Sequence, residues 1–182
     1  MGTRGALGFV VDETAKITYN HFDSYPDGLG DDTLAWLRTT LDEGREQEVR
    51  DQARALVAVD EDSEPTAEEW ERFGHLADRN VSTGQDWYAL LRDTQGDAGK
   101  ILEAGAYADA STFPLDSLFC EWAYLVDFDT RTFEVYEGFR RTPATEGRWA
   151  EQSGRGDYYP IQRIAAYSFD ELPERLALEE RV

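Results

Sequence analysis

The chain carries strand-type sequence at two distant places, near its start and beyond residue 120, and a fold must bring both into one sheet. Ala6-Leu7-Gly8-Phe9-Val10-Val11 is a short apolar run, Asp12 to Ala15 is a polar turn, and Lys16-Ile17-Thr18-Tyr19 alternates again. This pattern predicts a β-hairpin over residues 5–22. Trp122 to Val126, the polar stretch Asp127 to Arg131, and Thr132 to Tyr136 predict a second hairpin, and Ile161 to Tyr167 a last strand. Gly5 and Gly8 weaken the first strand unless another backbone or a ligand comes close.

The intervening sequence reads as helical. Asp31 or Asp32 caps a helix with Leu34, Leu37 and Leu41 on its apolar face and Trp36 beside it, and Gly44 breaks it. A second helix runs from about Glu46 to Val59 and turns Val49, Ala53, Leu56 and Val57 inward. After the polar linker DEDSEP, Thr66 and Glu69 form a capping box for a third helix that buries Trp70, Phe73 and Ala77. Thr83 caps a short fourth helix around Trp87, Leu90 and Leu91, ending near Gly96. Residues 140–157 read as an exposed loop, and Asp170 caps a final helix through Leu172, Leu176 and Leu178. The order predicts a single α+β domain over residues 1–182. Its antiparallel sheet is built from the N-terminal hairpin, the later hairpin and the C-terminal strand, covered by about four to five helices.

A chain of 182 residues with 41% hydrophobic and 13% aromatic content fills one core. No apolar run is long enough to predict a membrane span, and the first residues lack the apolar segment of a secretory signal. MGTRGA starts like a myristoylation site but has Ala6 where Ser or Thr is required. Cys120 is the single cysteine, which excludes an internal disulfide and suits a reducing cytoplasm. The formal net charge is −20, with 20 acidic against 8 basic residues through Leu91 and 18 against 10 after it. The excess is therefore spread over the fold, and no basic stripe is present to bind a nucleic-acid backbone directly. Such a surface either keeps the protein soluble or imitates a phosphate backbone and captures a nucleic-acid-binding protein.

The stretch TYNHFDSYPDGLG, residues 18–30, concentrates polar chemistry. On a continuing strand His21 and Asp23 share one face, where the acid would fix the tautomer of a histidine base, while Ser24 points away. They are the candidate catalytic pair, with Asn20, Ser24, Tyr25 and Asp27 as candidate binding residues. The plainer reading is that Asn20, Asp23 and Ser24 bond backbone groups at a strand end and Pro26-Asp27-Gly28 completes a turn.

Other constellations are weaker. Cys120 lies in Leu118-Phe119-Cys120-Glu121-Trp122 and reads as a small buried hydrophobe. Asp23, Asp27, Asp31 and Asp32 lack EF-hand spacing. Asp127-Phe128-Asp129 starts like such a loop but places Gly138 where a bidentate Glu belongs. No phosphate loop, dinucleotide fingerprint or nucleophile elbow occurs, so no metal or cofactor is expected. Trp122, Tyr124, Phe128, Phe133 and Tyr136 read as core, and Arg140, Arg141, Arg148 and Arg155 as a solvated loop.

The opening MGTRGALGFVVDETAKITYNHFDSYPDGLG resembles a family of proteins from actinobacteria and their phages, and FCEWAYLVDFDTRTFEVYEG is similar to the same family. The resemblance implies a cytoplasmic, often phage-borne protein and brings no activity, cofactor or site. A weaker similarity is to enzymes with an N-terminal nucleophile such as glutamine amidotransferases, whose catalytic Cys follows Met. Here Gly2 and then Thr3 follow, and Gly offers no nucleophile. Two expectations result. One is a non-catalytic binding or regulatory protein that acts on a host protein through its acidic surface. The other is a small hydrolase or transferase, with an N-terminal-nucleophile-like fold, working from a His21 and Asp23 pocket.

Overall fold

The computed structural model describes residues 2–77 and 85–178. In chain order, β1 (Gly5–Val11) and β2 (Thr14–Asn20) form the first hairpin, followed by α1 (Asp31–Asp42), α2 (Glu46–Ala55) and the short strand β3 (Val57–Val59). Three further helices, α3 (Ala67–Phe73), α4 (Trp87–Leu91) and α5 (Ala98–Ala104), lead to β4 (Ala106–Ala108). The second hairpin, β5 (Trp122–Asp127) and β6 (Thr132–Glu137), and the last strand β7 (Gln162–Ser168) complete the chain's α+β fold. No helix among the described residues is long and apolar enough to cross a membrane.

The main sheet has five strands in the order β2-β1-β5-β6-β7. All neighbours are antiparallel except β1 and β5, which run parallel in the register Leu7 to Tyr124 and Phe9 to Val126. The expected antiparallel sheet is thus mixed at one pair, because the helical segment between β2 and β5 is long enough for a crossover. Leu7, Phe9, Tyr124, Val126, Phe133 and Val135 point to one face. There they pack on Leu34 and Leu37 of α1, Val49 and Ala53 of α2, and Ile101 and Leu102 of α5. The other face carries Ala6, Val10, Ala123, Leu125 and Tyr136. Ile17 of β2 lies on this face too, and Cys120, Trp149 and Ile161 cover it in place of the α-helices. A separate cluster of Phe73, Trp87, Leu90 and Ala106 joins α3 and α4 to the parallel pair β3 and β4.

The first hairpin turns through Asp12 and Glu13 alone, both at positive φ (51° and 63°), which matches the right-handed twist of the strands it joins. Neither is glycine, so the turn is held from outside: the Asp129 carboxylate accepts the Asp12 and Glu13 N–H groups at 3.1 and 2.8 Å. Gly5 and Gly8 are required by close approach. A Cβ at Gly5 would stand 2.6 Å from Ser24 Cβ and from the Trp122 carbonyl, and one at Gly8 2.6 Å from Ile17 and Leu125 methyls.

Several expectations are corrected. The second helix stops at Ala55, not Val59: Leu56 turns to ψ 128° and the β-branched Val57 and Val59 pair with β4. Lys16 Nζ donates to the Arg54 and Leu56 carbonyls that this ending leaves open. The capping box of Thr66 and Glu69 is present, and Thr66 Oγ1 accepts the Glu69 N–H at 3.2 Å. Thr83 lies outside the described residues, and the cap of α4 is Asp86, which accepts the Ala89 N–H at 2.8 Å. Gly30, with no side-chain cap, precedes α1, so Asp31 and Asp32 occupy its first turn instead of capping it. The final helix at Asp170 is replaced by a single 3-10 turn, Phe169–Glu171, capped by Ser168. Pro173 forces Leu172 into extended backbone (ψ 133°), and Leu172, Leu176 and Leu178 lie as an extended strap on the helix-side core. The segment 140–157 is not a fully solvated loop, since Ala144 and Trp149 are buried within it.

Candidate functional site

Strand β2 ends at Asn20, and the chain then crosses the top of β1 before a π-helical turn, Pro26–Gly30, leads into α1. Ser24 is the anchor. It is fully buried, its N–H donates to the Thr3 carbonyl at 3.3 Å, and its carbonyl accepts the Tyr124 hydroxyl at 3.0 Å. Burial, and then the nearby charges of Asp31 and Asp27, push that phenol well above its ordinary range, so it serves as a donor. Asn20 Nδ2 donates to Ser24 Oγ at 2.9 Å and also to the Phe22 carbonyl. Ser24 and Asn20 are therefore structural clamps, as the reading of a strand end implies.

Asp23 sits at φ 51°, and its carbonyl accepts the Leu29 N–H at 2.9 Å. The strand alternation that would have set His21 and Asp23 side by side has already ended at Asn20. His21 Nδ1 pairs with the Tyr19 hydroxyl at 2.7 Å, and its imidazole meets the Phe22 ring edge-on at 4.3 Å. No hydrogen bond or ion pair joins His21 to Asp23. Both side chains are exposed, as are Tyr25 and Asp27. The geometry does not make a histidine–carboxylate dyad.

A cleft of about 300 Å³ opens beside this loop. Asn20, Phe22, Asp23 and Leu29 form one side, and Asp32 of α1 with Arg92, Gln95 and Gly96 of the α4–α5 connection complete it. His21, Ser24, Tyr25 and Asp27 do not line it. Asp32, Arg92, Gln95 and Gly96 come from parts of the chain that the strand-end pattern does not reach.

No protein family, curated protein or solved structure matches the chain.

Away from this loop, the face without helices buries two carboxylates. Glu134 accepts Tyr136 OH at 2.9 Å, Arg148 Nε at 3.2 Å and Arg163 Nη1 at 2.8 Å. Asp127 accepts the N–H groups of Asp129 and Thr130 at 2.8 and 3.0 Å on one oxygen and meets Arg148 on the other. Arg148, expected in a solvated loop, is thus the cation that compensates two buried charges. Burial, and next the Glu134 charge, raise the Tyr136 phenol above its ordinary range. These charges satisfy one another. Cys120 is fully buried, and burial followed by the Asp116 and Glu121 charges pushes its thiol far up, so it is a core residue and not a nucleophile. Among the described residues no group of three His, Cys, Asp or Glu is placed to hold a metal ion.

The polar linker carries more than linker chemistry. Together with the start of α3, from Asp60 to Glu71, it holds seven acidic residues and no basic one. It is tied down, because the Trp87 and Tyr88 N–H groups donate to the Ser63 and Glu61 carbonyls at 3.2 Å each. Glu61 has its carboxyl held above the ordinary range, first by burial and then by the charges of Asp62 and Asp60.

Proposed function

We propose that the chain is a non-catalytic binding protein that acts on a partner, a host protein in the phage-borne setting, through its acidic surface. The observation that supports this most is the segment Asp60–Glu71. Its carboxylates are fixed on a backbone bonded to α4, with no lysine or arginine among them to neutralise them. Arg45, Arg50 and Arg54, at the start of α2 and along it, do not relieve the excess there, being paired elsewhere: Arg45 with Glu48, Arg50 with Asp129 and Arg54 with Asp12. A basic protein surface, of the kind that otherwise meets a phosphate backbone, is the complementary partner. A hydrolase or transferase at His21 and Asp23 has less support, because the imidazole is paired with Tyr19 and no carboxylate orients it. The proposal places the protein in the cytoplasm.

The test is a pulldown from host lysate with the wild-type chain and with a variant carrying Glu61→Gln, Asp62→Asn, Glu64→Gln and Glu68→Gln. A specific protein is expected to be retained at about 50 mM salt, released by about 0.5 M and lost from the variant. Duplex DNA added as competitor displaces it if the surface imitates a phosphate backbone. Retention of nothing at low salt removes the proposal.

A further inference from the structure

A cavity of about 30 Å³ lies where the edge strand β2 meets the smaller unit of β3, β4 and α4. Tyr19 of β2, Tyr88 of α4 and Tyr107 of β4 line it, together with Glu61, Gln95 and Ile101. Tyr107 is 7% exposed, and its hydroxyl has no hydrogen-bond partner among the described residues. A phenol held that deep on the wall of a cavity, with its oxygen unmet, is a site for a ligand that can bond it. The side chains of Glu61 and Gln95 are also without a partner among the described residues. The Tyr19 hydroxyl meets His21 Nδ1 at 2.7 Å, and either tautomer leaves the phenol oxygen a free lone pair. The electrostatics are those of a cation site. Burial, and then the Asp109 charge, raise the Tyr107 phenol. Burial also raises the Tyr19 phenol, opposed by the Arg4 charge and reinforced by that of Glu61. The nearby cations are placed elsewhere. The Arg4 guanidinium lies 4.6 Å from the centre of the Phe119 ring, that of Arg92 lies 5.3 Å from the centre of the Tyr88 ring and donates to its hydroxyl, and neither residue lines the cavity.

We propose that this cavity takes the ammonium group of a lysine side chain on the partner's surface. An ammonium is about the size of a water molecule, which is what this volume admits. It carries three N–H donors, enough for the Glu61 carboxylate and the Tyr107 and Tyr19 oxygens, and tyrosine rings attract its charge. A planar guanidinium or a trimethylated ammonium is too large for the same space. Glu61 belongs both to the cavity and to the acidic segment Asp60–Glu71, and it is exposed, so a side chain reaches the cavity from that surface. The inference rests on the proposal that the partner is basic, and it names the side chain that is read.

The test uses three labelled Gly/Ser peptides that differ only in a central lysine, arginine or trimethyl-lysine, titrated by fluorescence anisotropy at about 50 mM salt. The lysine peptide is expected to bind about tenfold tighter than the other two. Tyr107→Phe removes the hydroxyl and keeps the ring. It is expected to weaken the lysine peptide about tenfold and to leave the arginine peptide unchanged. A thermal melt no lower than that of the wild type verifies that the variant folds. Glu61→Gln, at an exposed position, weakens the lysine peptide more than the arginine peptide. Glu64→Gln with Glu68→Gln, outside the cavity, weakens all three equally. Equal affinity for the three peptides, or no effect of Tyr107→Phe while the Glu64 and Glu68 changes act, overturns the ammonium site and leaves the acidic-surface proposal standing. Methylammonium binding as tightly as the lysine peptide overturns the assignment to a protein side chain. Binding of no peptide at low salt overturns both the site and the acidic-surface proposal.

Discussion

At the scale of single residues, Arg148 has the largest consequence. Asp127 and Glu134 are 1% and 3% exposed, and both pair with this one guanidinium. Glu134 retains Arg163 if Arg148 is lost, whereas Asp127 retains only backbone donors. Arg148→Ala is therefore expected to destabilise the fold by about 3 kcal/mol, the lower end of the cost of breaking a buried pair. Urea unfolding checks this, and Arg163→Ala, which leaves Glu134 one cation, should cost less. None of this could be read from the chain. Arg148 stands among glycines and glutamates that look solvated, and its partners lie on strands whose pattern only predicts burial. The loop at residues 20–30 was more legible, since Asn20, Ser24 and the Pro-Gly turn have the chemistry of a strand end. The positive φ at Asp23, beyond the end of β2, was not legible.

At the scale of elements, the two hairpins were readable because alternation and polar turns are local signals. The short strands β3 and β4 were not. Three residues carry too little pattern, and each gains its strand identity only by pairing with the other. Helix α5, with Asp97 accepting the Lys100 N–H at 3.0 Å as its cap, is only seven residues long and carries an equally short pattern. The contact between the hairpins is a further element-level device. The carboxylate of Asp129, in the β5–β6 turn, accepts two N–H groups of the β1–β2 turn, and Arg50 of α2 pairs with it at 3.2 Å. Asp129→Ala is expected to cost about 2 kcal/mol, because it removes two charge-assisted bonds and leaves two turn donors to water. Thermal unfolding followed by near-UV circular dichroism measures it. Adding Glu13→Gly, which relieves the positive φ, should recover part of the loss.

For the whole molecule, the −20 charge sets how stability responds to solution conditions. The excess repels itself, so raising salt from about 10 to 300 mM at neutral pH is expected to raise the melting temperature. The pH dependence has two opposing parts. Glu61 has a raised carboxyl pKa, so the folded state binds its proton more readily, and the cost of its charge at neutral pH disappears as pH falls through its folded value. Asp12 and Glu48 are lowered, mainly by hydrogen bonds from Arg54 and Arg45, so their contribution exists above the unfolded carboxylate range and is lost as pH falls through their lower folded values. Calorimetry at low salt should show stability rising from neutral pH towards about 5 and falling again below about 4. The parallel pair β1–β5 gives the growing chain a waiting time. Strand β1 lies inside the sheet between β2 and β5, yet its partner Trp122–Asp127 is translated more than a hundred residues later. At ordinary elongation rates the first hairpin spends roughly 5 to 20 s with one apolar edge unsatisfied. Phe9 on one face and Val10 on the other then stand uncovered beside that open edge until β5 arrives.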